Sequence, residues 1–484
     1  MLVNQNDTFN FRMTTDEQLY RLHYASLEVL ERTGVVINDE EAVNLLKDAG
    51  AYAKGNHVRI PTKMVEEAIN SAPSRIVISN QLGERSMFLE RNRVYFGSGT
   101  DLPSFTDPYT QEVRSTVLKD IENVAKIIET CDNYSFVSNN GLGCDVNQES
   151  HDLYSLKAQR SYSTKPNFTT ATNYGNLKAM IDMAAEMSGG YESLKQNPTL
   201  IIYNEPISPL VNGIDAVQKL LLCAEYGIPT TYASGGVSGG TSPVTVSGSI
   251  IQSNAECLAG LVMHQLKRKG APFIFGYIYG AIDMQTTVSS YGGPEFGMVD
   301  TVMAELGRFY DLPSYGTSGC TDAITIDAQA GIEATYHVMC SALSGSNLVH
   351  DNGYTGIGLI GNLEMILLVD EIISFANRFV KGIKYDAESF ALDLIDKVGP
   401  GGDFISEKHT AKHFKEEIFY PRYMNKKQYP AWENDGKLSV LDKLNKDALQ
   451  IIEDEKPILL KETQMKVFDE IIQNREKQII KEKE

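Results

Sequence analysis

Six residues could do chemistry if the fold brings them together: Tyr95, Asn204, Glu205, Tyr277, His350 and Tyr354. Three phenols, an amide, one carboxylate and one histidine make little acid–base machinery. They make a good pocket for a cation, because aromatic faces attract a desolvated positive charge and quaternary ammonium is the ligand they favour. Glu205 could balance such a charge, or cap the helix that starts near Leu210. His350 could hold a carboxylate, or be a core histidine with its hydrogen bonds satisfied. A tyrosine taken singly reads as an amphipathic core residue; convergence of several on one rim is what points to a site.

The elements that would position them follow from the pattern after residue 94. Runs rich in Val, Ile, Tyr, Phe and Thr at 94–97, 135–139, 167–171, 200–204, 229–234, 272–277, 313–317 and 347–351 read as strands. Helical patterns lie between them, near 118–131, 149–163, 176–188, 211–226, 248–268, 294–310, 327–344 and 361–382. Alternating strands and helices imply a parallel sheet with crossover connections. Eight such units predict an α/β fold with a (β/α)8 TIM barrel over 91–385; a doubly wound open sheet is the alternative. In a barrel the site lies at the C-terminal ends of the strands, where all six residues fall.

Residues 1–90 read as a helical accessory region. Thr14 and Glu17 have capping-box spacing, Leu19, Leu22, Val29 and Leu30 mark one face, and Gly34 sits where a helix should stop. Further helices are expected near 40–48 and 63–71. Residues 386–484 read as an irregular and then helical extension, with apolar spacing at Leu441, Leu444, Leu449 and Ile452 and again at Val467, Ile471 and Ile472. Such charged helices would pack on the barrel or on another subunit, which makes a homo-oligomer the expectation.

Several chemistries are disfavoured. A metal hydrolase barrel needs several His and Asp ligands converging on one ion, and only His350 lies at a strand end. No lysine sits there for a Schiff base. Gly316-Thr-Ser-Gly319 and Gly356-Ile-Gly358 match a phosphate loop weakly, and no Rossmann or P-loop fingerprint occurs. His409 and His413 are four apart, on one face of a helix, with no Glu or Cys at a telling offset, so no metal is expected. The 484 residues hold 44 basic and 63 acidic side chains, a net charge of −19, which argues against nucleic-acid binding. Six cysteines without a CxxC pair form neither a disulfide framework nor a zinc ribbon. No signal peptide is visible and no apolar run nears the ~20 residues of a membrane span, so a cytoplasmic protein is expected.

Further motifs follow one another along the chain. They are Asp48-Ala-Gly-Ala51 with Val58-Arg-Ile-Pro61, Phe96-Gly-Ser-Gly99 with Pro103, and Asp107 with Thr110. Asn204-Glu-Pro-Ile-Ser-Pro209, Gly240-Thr-Ser-Pro-Val-Thr245 and Gly293-Pro-Glu-Phe296 follow. Asp322 with Asp327-Ala-Gln-Ala-Gly331, and His409-Thr-Ala-Lys-His413-Phe414, complete the series. In this order and spacing they resemble the trimethylamine methyltransferase superfamily, in its branch lacking pyrrolysine. The resemblance implies a barrel that moves a methyl group from a methylated amine to the cobalt of a corrinoid (cobalamin) carried by a partner protein. It also implies a quaternary amine: glycine betaine first, with proline betaine, carnitine or γ-butyrobetaine as alternatives. Members acting on trimethylamine carry pyrrolysine, which this sequence lacks. By similarity, Tyr95 and His350 match positions expected to touch a betaine. On this reading Tyr95, Tyr277 and Tyr354 form an ammonium cage, Glu205 is the counter-charge, and His350 with Asn204 binds the carboxylate. No general acid or base is required. The rival readings are a barrel lyase or hydrolase using Glu205 or His350 as base, and a non-catalytic betaine-binding module.

Overall fold

The computed structural model describes residues 2–3 and 11–483. Eight strands alternate with eight helices. The strands are β1 (Arg93–Ser98), β2 (Tyr134–Phe136), β3 (Asn167–Thr169), β4 (Leu200–Ile202), β5 (Thr230–Thr231), β6 (Phe273–Ile274), β7 (Tyr315–Thr317) and β8 (Leu348–Asn352). The helices are α1 (Leu118–Thr130), α2 (His151–Tyr162), α3 (Tyr174–Ser188), α4 (Ile214–Tyr226), α5 (Val246–Lys267), α6 (Pro294–Phe309), α7 (Ala328–Ser344) and α8 (Leu363–Lys381). Every expected strand and helix of this stretch is present within a few residues.

The strands pair in parallel in two ladders. One runs β2-β1-β8-β7 and the other β3-β4-β5-β6. Single parallel bridges join them at both ends, Val137 to Asn167 and Phe275 to Ser314. Period-two alternation sorts the side chains. Phe273 and Phe275 pack towards the helices, while Ile274 packs inward. One buried cluster collects Tyr95, Phe136, Phe168, Ile201, Ala233, Ile274, Tyr315 and Leu348, one side chain from each strand or the residues just after it. Gly97 leaves room there, since a Cβ would stand 2.2 Å from the Phe136 ring. Gly97→Ala is therefore expected to cost about 1–3 kcal/mol by overpacking, read as a lower melting temperature.

The region before Arg93 is not purely helical, which corrects the sequence expectation. Its helices (Asp16–Glu28, Glu40–Asp48 and Thr62–Ser71) are joined by a small sheet of Val35–Ile37, Tyr52–Lys54 and His57–Arg59. The capping box is one residue later than its spacing suggested. The Thr14 hydroxyl and amide are taken by Glu305, so Thr15 caps Gln18 instead. A hairpin of Ile76–Ser79 and Arg85–Leu89 then inserts Ile76, Ile78, Met87 and Leu89 into the inward cluster. Its Ser79 and Gln81 amides donate to the carbonyls of Pro198 and Thr164, just ahead of β4 and β3, so it lies against the N-terminal ends of the strands.

The C-terminal helices Val440–Glu453 and Glu462–Lys483 pack on this chain. Leu444, Ala448, Ile451 and Ile452 join the cluster of α1 and α8, and Phe468 and Ile472 join that of α3. Among the described residues no helix is long and apolar enough to cross a membrane.

Candidate functional site

Residues on β3, β7 and β8 and just after β4 bring four rings together. Phe168, Tyr203, Tyr315 and His350 have neighbouring centroids 5.0–6.0 Å apart, with Tyr203 stacked on His350 at an interplanar angle of 16°. His350 is 3% exposed. Its Nδ1 lies 2.9 Å from Asp351 Oδ1 and 2.7 Å from the Tyr315 hydroxyl. A carboxylate only accepts, so Nδ1 carries the hydrogen. Nε2 is buried with no partner. It is thus the ring atom left to meet a ligand. Asp351 adopts φ +70, a left-handed conformation uncommon outside glycine.

Glu205 extends this group towards solvent. The Tyr203 hydroxyl donates to Glu205 Oε2 at 2.6 Å. Glu205 keeps solvent-accessible surface yet sits in a concavity, and burial pushes its carboxyl pKa up; nearby Asp101 and Asp351 push it further, while the Tyr203 hydrogen bond and Lys219 oppose them. The concavity beside it measures about 260 Å³ and includes Asp101, Thr172, Tyr203, Glu205 and Lys219. Burial, then the Asp351 and Glu205 carboxylates, raise the phenols of Tyr291 and Tyr315. These phenols stay protonated at neutral pH. Tyr291 is fixed by Asp322, which accepts from its amide at 2.9 Å and from the Ser290 hydroxyl at 2.5 Å. The result is an aromatic mouth in which carboxylates outnumber bases.

The six residues read from the sequence fall in different places. Glu205 and His350 meet through Tyr203. Tyr354 borders the same mouth, its hydroxyl donating to the Thr100 carbonyl at 2.7 Å. Tyr95 points inward one layer lower, its hydroxyl accepting from the Phe88 amide of the hairpin at 2.9 Å. Asn204 turns away, donating from Nδ2 to the Ala216 carbonyl of α4 at 2.6 Å. Tyr277 also faces the helices, in one cluster with Phe275, Met303 and Tyr310, and its hydroxyl is buried without a partner. Strand parity is the reason: Ile201, Tyr203 and Glu205 share the inner face, as do Ile274 and Gly276. Tyr203, Tyr315 and Tyr291 are the residues sequence reasoning missed, and the first two share their strands' inward parity.

His409 and His413 lie on the exposed helix Lys408–Glu417, where His413 Nε2 is 3.1 Å from Glu388 Oε1 and His409 Nε2 is 3.2 Å from the Glu388 carbonyl. Among the described residues no three His, Cys, Asp or Glu side chains are grouped to hold a metal ion.

Comparison with known proteins places this arrangement. The family described as trimethylamine methyltransferase (MTTB) matches residues 2–480. A trimethylamine methyltransferase MttB of Desulfitobacterium hafniense is 31% identical over 94% of this chain and 92% of its own. A glycine betaine methyltransferase of the same species is 28% identical, covering 87% and 88%. Among solved structures, the Methanosarcina barkeri monomethylamine methyltransferase (MtmB) superposes with a TM-score of 0.54 at 12% identity, over 93% of this chain and 90% of that one. The last likeness bears on the α/β fold alone. A match along nearly the whole length settles the kinship: the chain belongs to the trimethylamine methyltransferase family and is a methyltransferase.

Proposed function

We propose that this protein transfers a methyl group from a quaternary amine to the Co(I) corrinoid of a partner protein, with glycine betaine the first candidate substrate. Proline betaine, carnitine and γ-butyrobetaine are the next. The observation that carries this reading is the mouth itself, where Glu205, Asp351 and Asp101 surround protonated phenol rings. Aromatic faces with carboxylates close by suit a desolvated cation, of which quaternary ammonium is the one they favour. The family kinship supports methyl transfer from a methylated amine, and the glycine betaine methyltransferase relative favours a quaternary one.

We read the eight strands as one closed (β/α)8 barrel. The two joining bridges and the cluster with one side chain per strand support it.

The Co(I) corrinoid, as acceptor substrate, supplies a strong nucleophile. The C–N bond breaks, a Co–C bond forms, and the electron pair leaves on a neutral tertiary amine. No proton is needed, so the chain's residues bind and aim. Tyr203, Tyr291 and Tyr354 flank the ammonium and Glu205 balances its charge. His350 Nε2 donates to the substrate carboxylate, with Asp351 at Nδ1 stabilising the imidazolium. Tyr95 forms part of the floor. Binding the ground-state cation mainly lowers KM, so rate enhancement comes from holding one methyl towards the mouth with water excluded.

The acceptor must dock on the mouth. Five consecutive βα loops there each expose a large aliphatic or thioether side chain: Ile207, Val244, Met284, Ile324 and Leu359, all at least 53% exposed. Joint Met284→Asp and Ile324→Asp substitution is expected to raise the KM for the corrinoid protein at least tenfold. Binding of the amine in calorimetry should not change.

The test of the whole reading is an absorbance assay with reduced corrinoid, free or on a partner, and a panel of betaines, choline and trimethylamine. Appearance of the methyl-Co(III) spectrum with one quaternary amine is the expected result. Turnover of a small metabolite without any corrinoid would favour a lyase or hydrolase instead.

A further inference from the structure

The segment 384–438 leaves the molecule unfinished. Its four short helices, Ala387–Phe390, Leu392–Val398, Lys408–Glu417 and Tyr429–Asn434, have no fully buried side chain. It is nevertheless apolar. Among the described residues, fifteen of the thirty-seven large hydrophobic side chains left exposed fall between Phe375 and Leu438. Ile405 and Tyr420 are each 86% exposed, and Leu392 is 69% exposed. The arm is held in place, so this exposure is not fraying. Glu371 accepts from the amides of Arg422, Tyr423 and Met424 at 2.8–3.1 Å, and Arg378 donates to the Glu417 carbonyl. Between it and the end of α8 runs a largely apolar groove of about 730 Å³, lined by Phe375 and Ile383 on one side and by Tyr385, Ile418 and Phe419 of the arm on the other.

Three observations say what covers it. The first is area. Fifteen large side chains about half exposed present on the order of 1,500 Å² of apolar surface, and a stable dimer needs about 800 Å² per partner. The second is charge. The whole chain carries −19, which repels a second copy, but residues 384–438 hold nine basic and ten acidic side chains. Two copies can approach there with little repulsion. The third is position. α8 begins beside the mouth and runs away from it, so Phe375 and Ile383 lie towards the opposite end. A protein docked on the mouth would leave this face bare, and a second copy on it would leave the mouth open.

We propose that the arm and groove form a two-fold interface between two copies of this chain, the apolar arm of each packing on the groove of the other. Such a contact is self-complementary, with arm meeting groove twice. It differs from the C-terminal helices expected from sequence, whose apolar stripes are already buried.

Sedimentation velocity on the full chain between 1 and 50 µM tests it. The wild type is expected to run as a dimer or a larger assembly of dimers. The double variant Ile405→Asp with Tyr420→Asp should run at 53.6 kDa, with an unchanged circular dichroism spectrum. Its two side chains touch little in the monomer, so the fold should tolerate the change. A wild type that stays monomeric over this range overturns the proposal, as does a folded double variant that keeps the full assembly. Should the variant not fold, hydrogen exchange on the wild type decides. Peptides from 384–438 should gain protection as concentration rises, and unchanged protection there would sink the interface.

Discussion

Replacing His350 with alanine is expected to raise the KM for a betaine about 10- to 150-fold. A hydrogen bond between charged partners contributes roughly 1.5–3 kcal/mol, and each 1.4 kcal/mol is a factor of ten. The geometry that makes the loss specific is the division of labour on the ring. Nδ1 is committed to Asp351 and Tyr315, and Nε2 alone is open. Choline, which has no carboxylate, should lose little in the same variant. Michaelis constants for betaine and choline measured side by side separate the two cases. Equal loss on both would mean that the ring only packs against Phe168 and Tyr203.

The second large effect concerns Glu205. Glu205→Gln is expected to weaken binding of every quaternary ammonium by on the order of tenfold, since it removes a counter-charge at the mouth. The pH dependence has a definite sign. Burial raises the Glu205 pKa, so as pH falls the carboxylate takes up its proton earlier than an ordinary glutamate. Cation affinity in the wild type should therefore decline at a higher pH than ordinary glutamate titration would give. The variant should be flat over that window. A folded-state pKa raised above the unfolded value means the ionised group opposes folding at neutral pH. Glu205→Gln should thus melt higher than the wild type at pH 7 while binding less. Calorimetric titration across pH, with thermal melts on both proteins, checks both halves.

The parts of this fold legible in sequence are those written by local chemistry. α8 is an example, capped by Asn362 and ended at Gly382 with φ +71, and both boundaries follow from the apolar pattern between them. The parallel strands are short and largely buried on both faces, and their order along the chain sets their order in space. What escaped was parity and distance. Asn204 and Tyr277 lie at strand ends as expected but on the outward face, and only the alternation along β4 and β6 tells them from Tyr203 and Gly276. The hairpin 76–89 was overlooked because its apolar residues alternate over only a few positions. Its partners, Tyr95 to Leu348, are dispersed over more than 250 residues. The Tyr315–His350 pair joins adjacent strands 35 residues apart, a separation that no local motif announces.

That hairpin has a kinetic consequence. By stoppering the lower end, it leaves the site with one doorway, and on the proposed reading two substrates must use it. The amine has to enter first, because the docked acceptor protein would bar its way. The demethylated amine then waits until that protein departs. Turnover would follow a compulsory order, with excess acceptor slowing the enzyme by meeting it before the amine has arrived. Substrate inhibition by the larger partner, relieved by more of the smaller, would be the signature of a vessel sealed at its base.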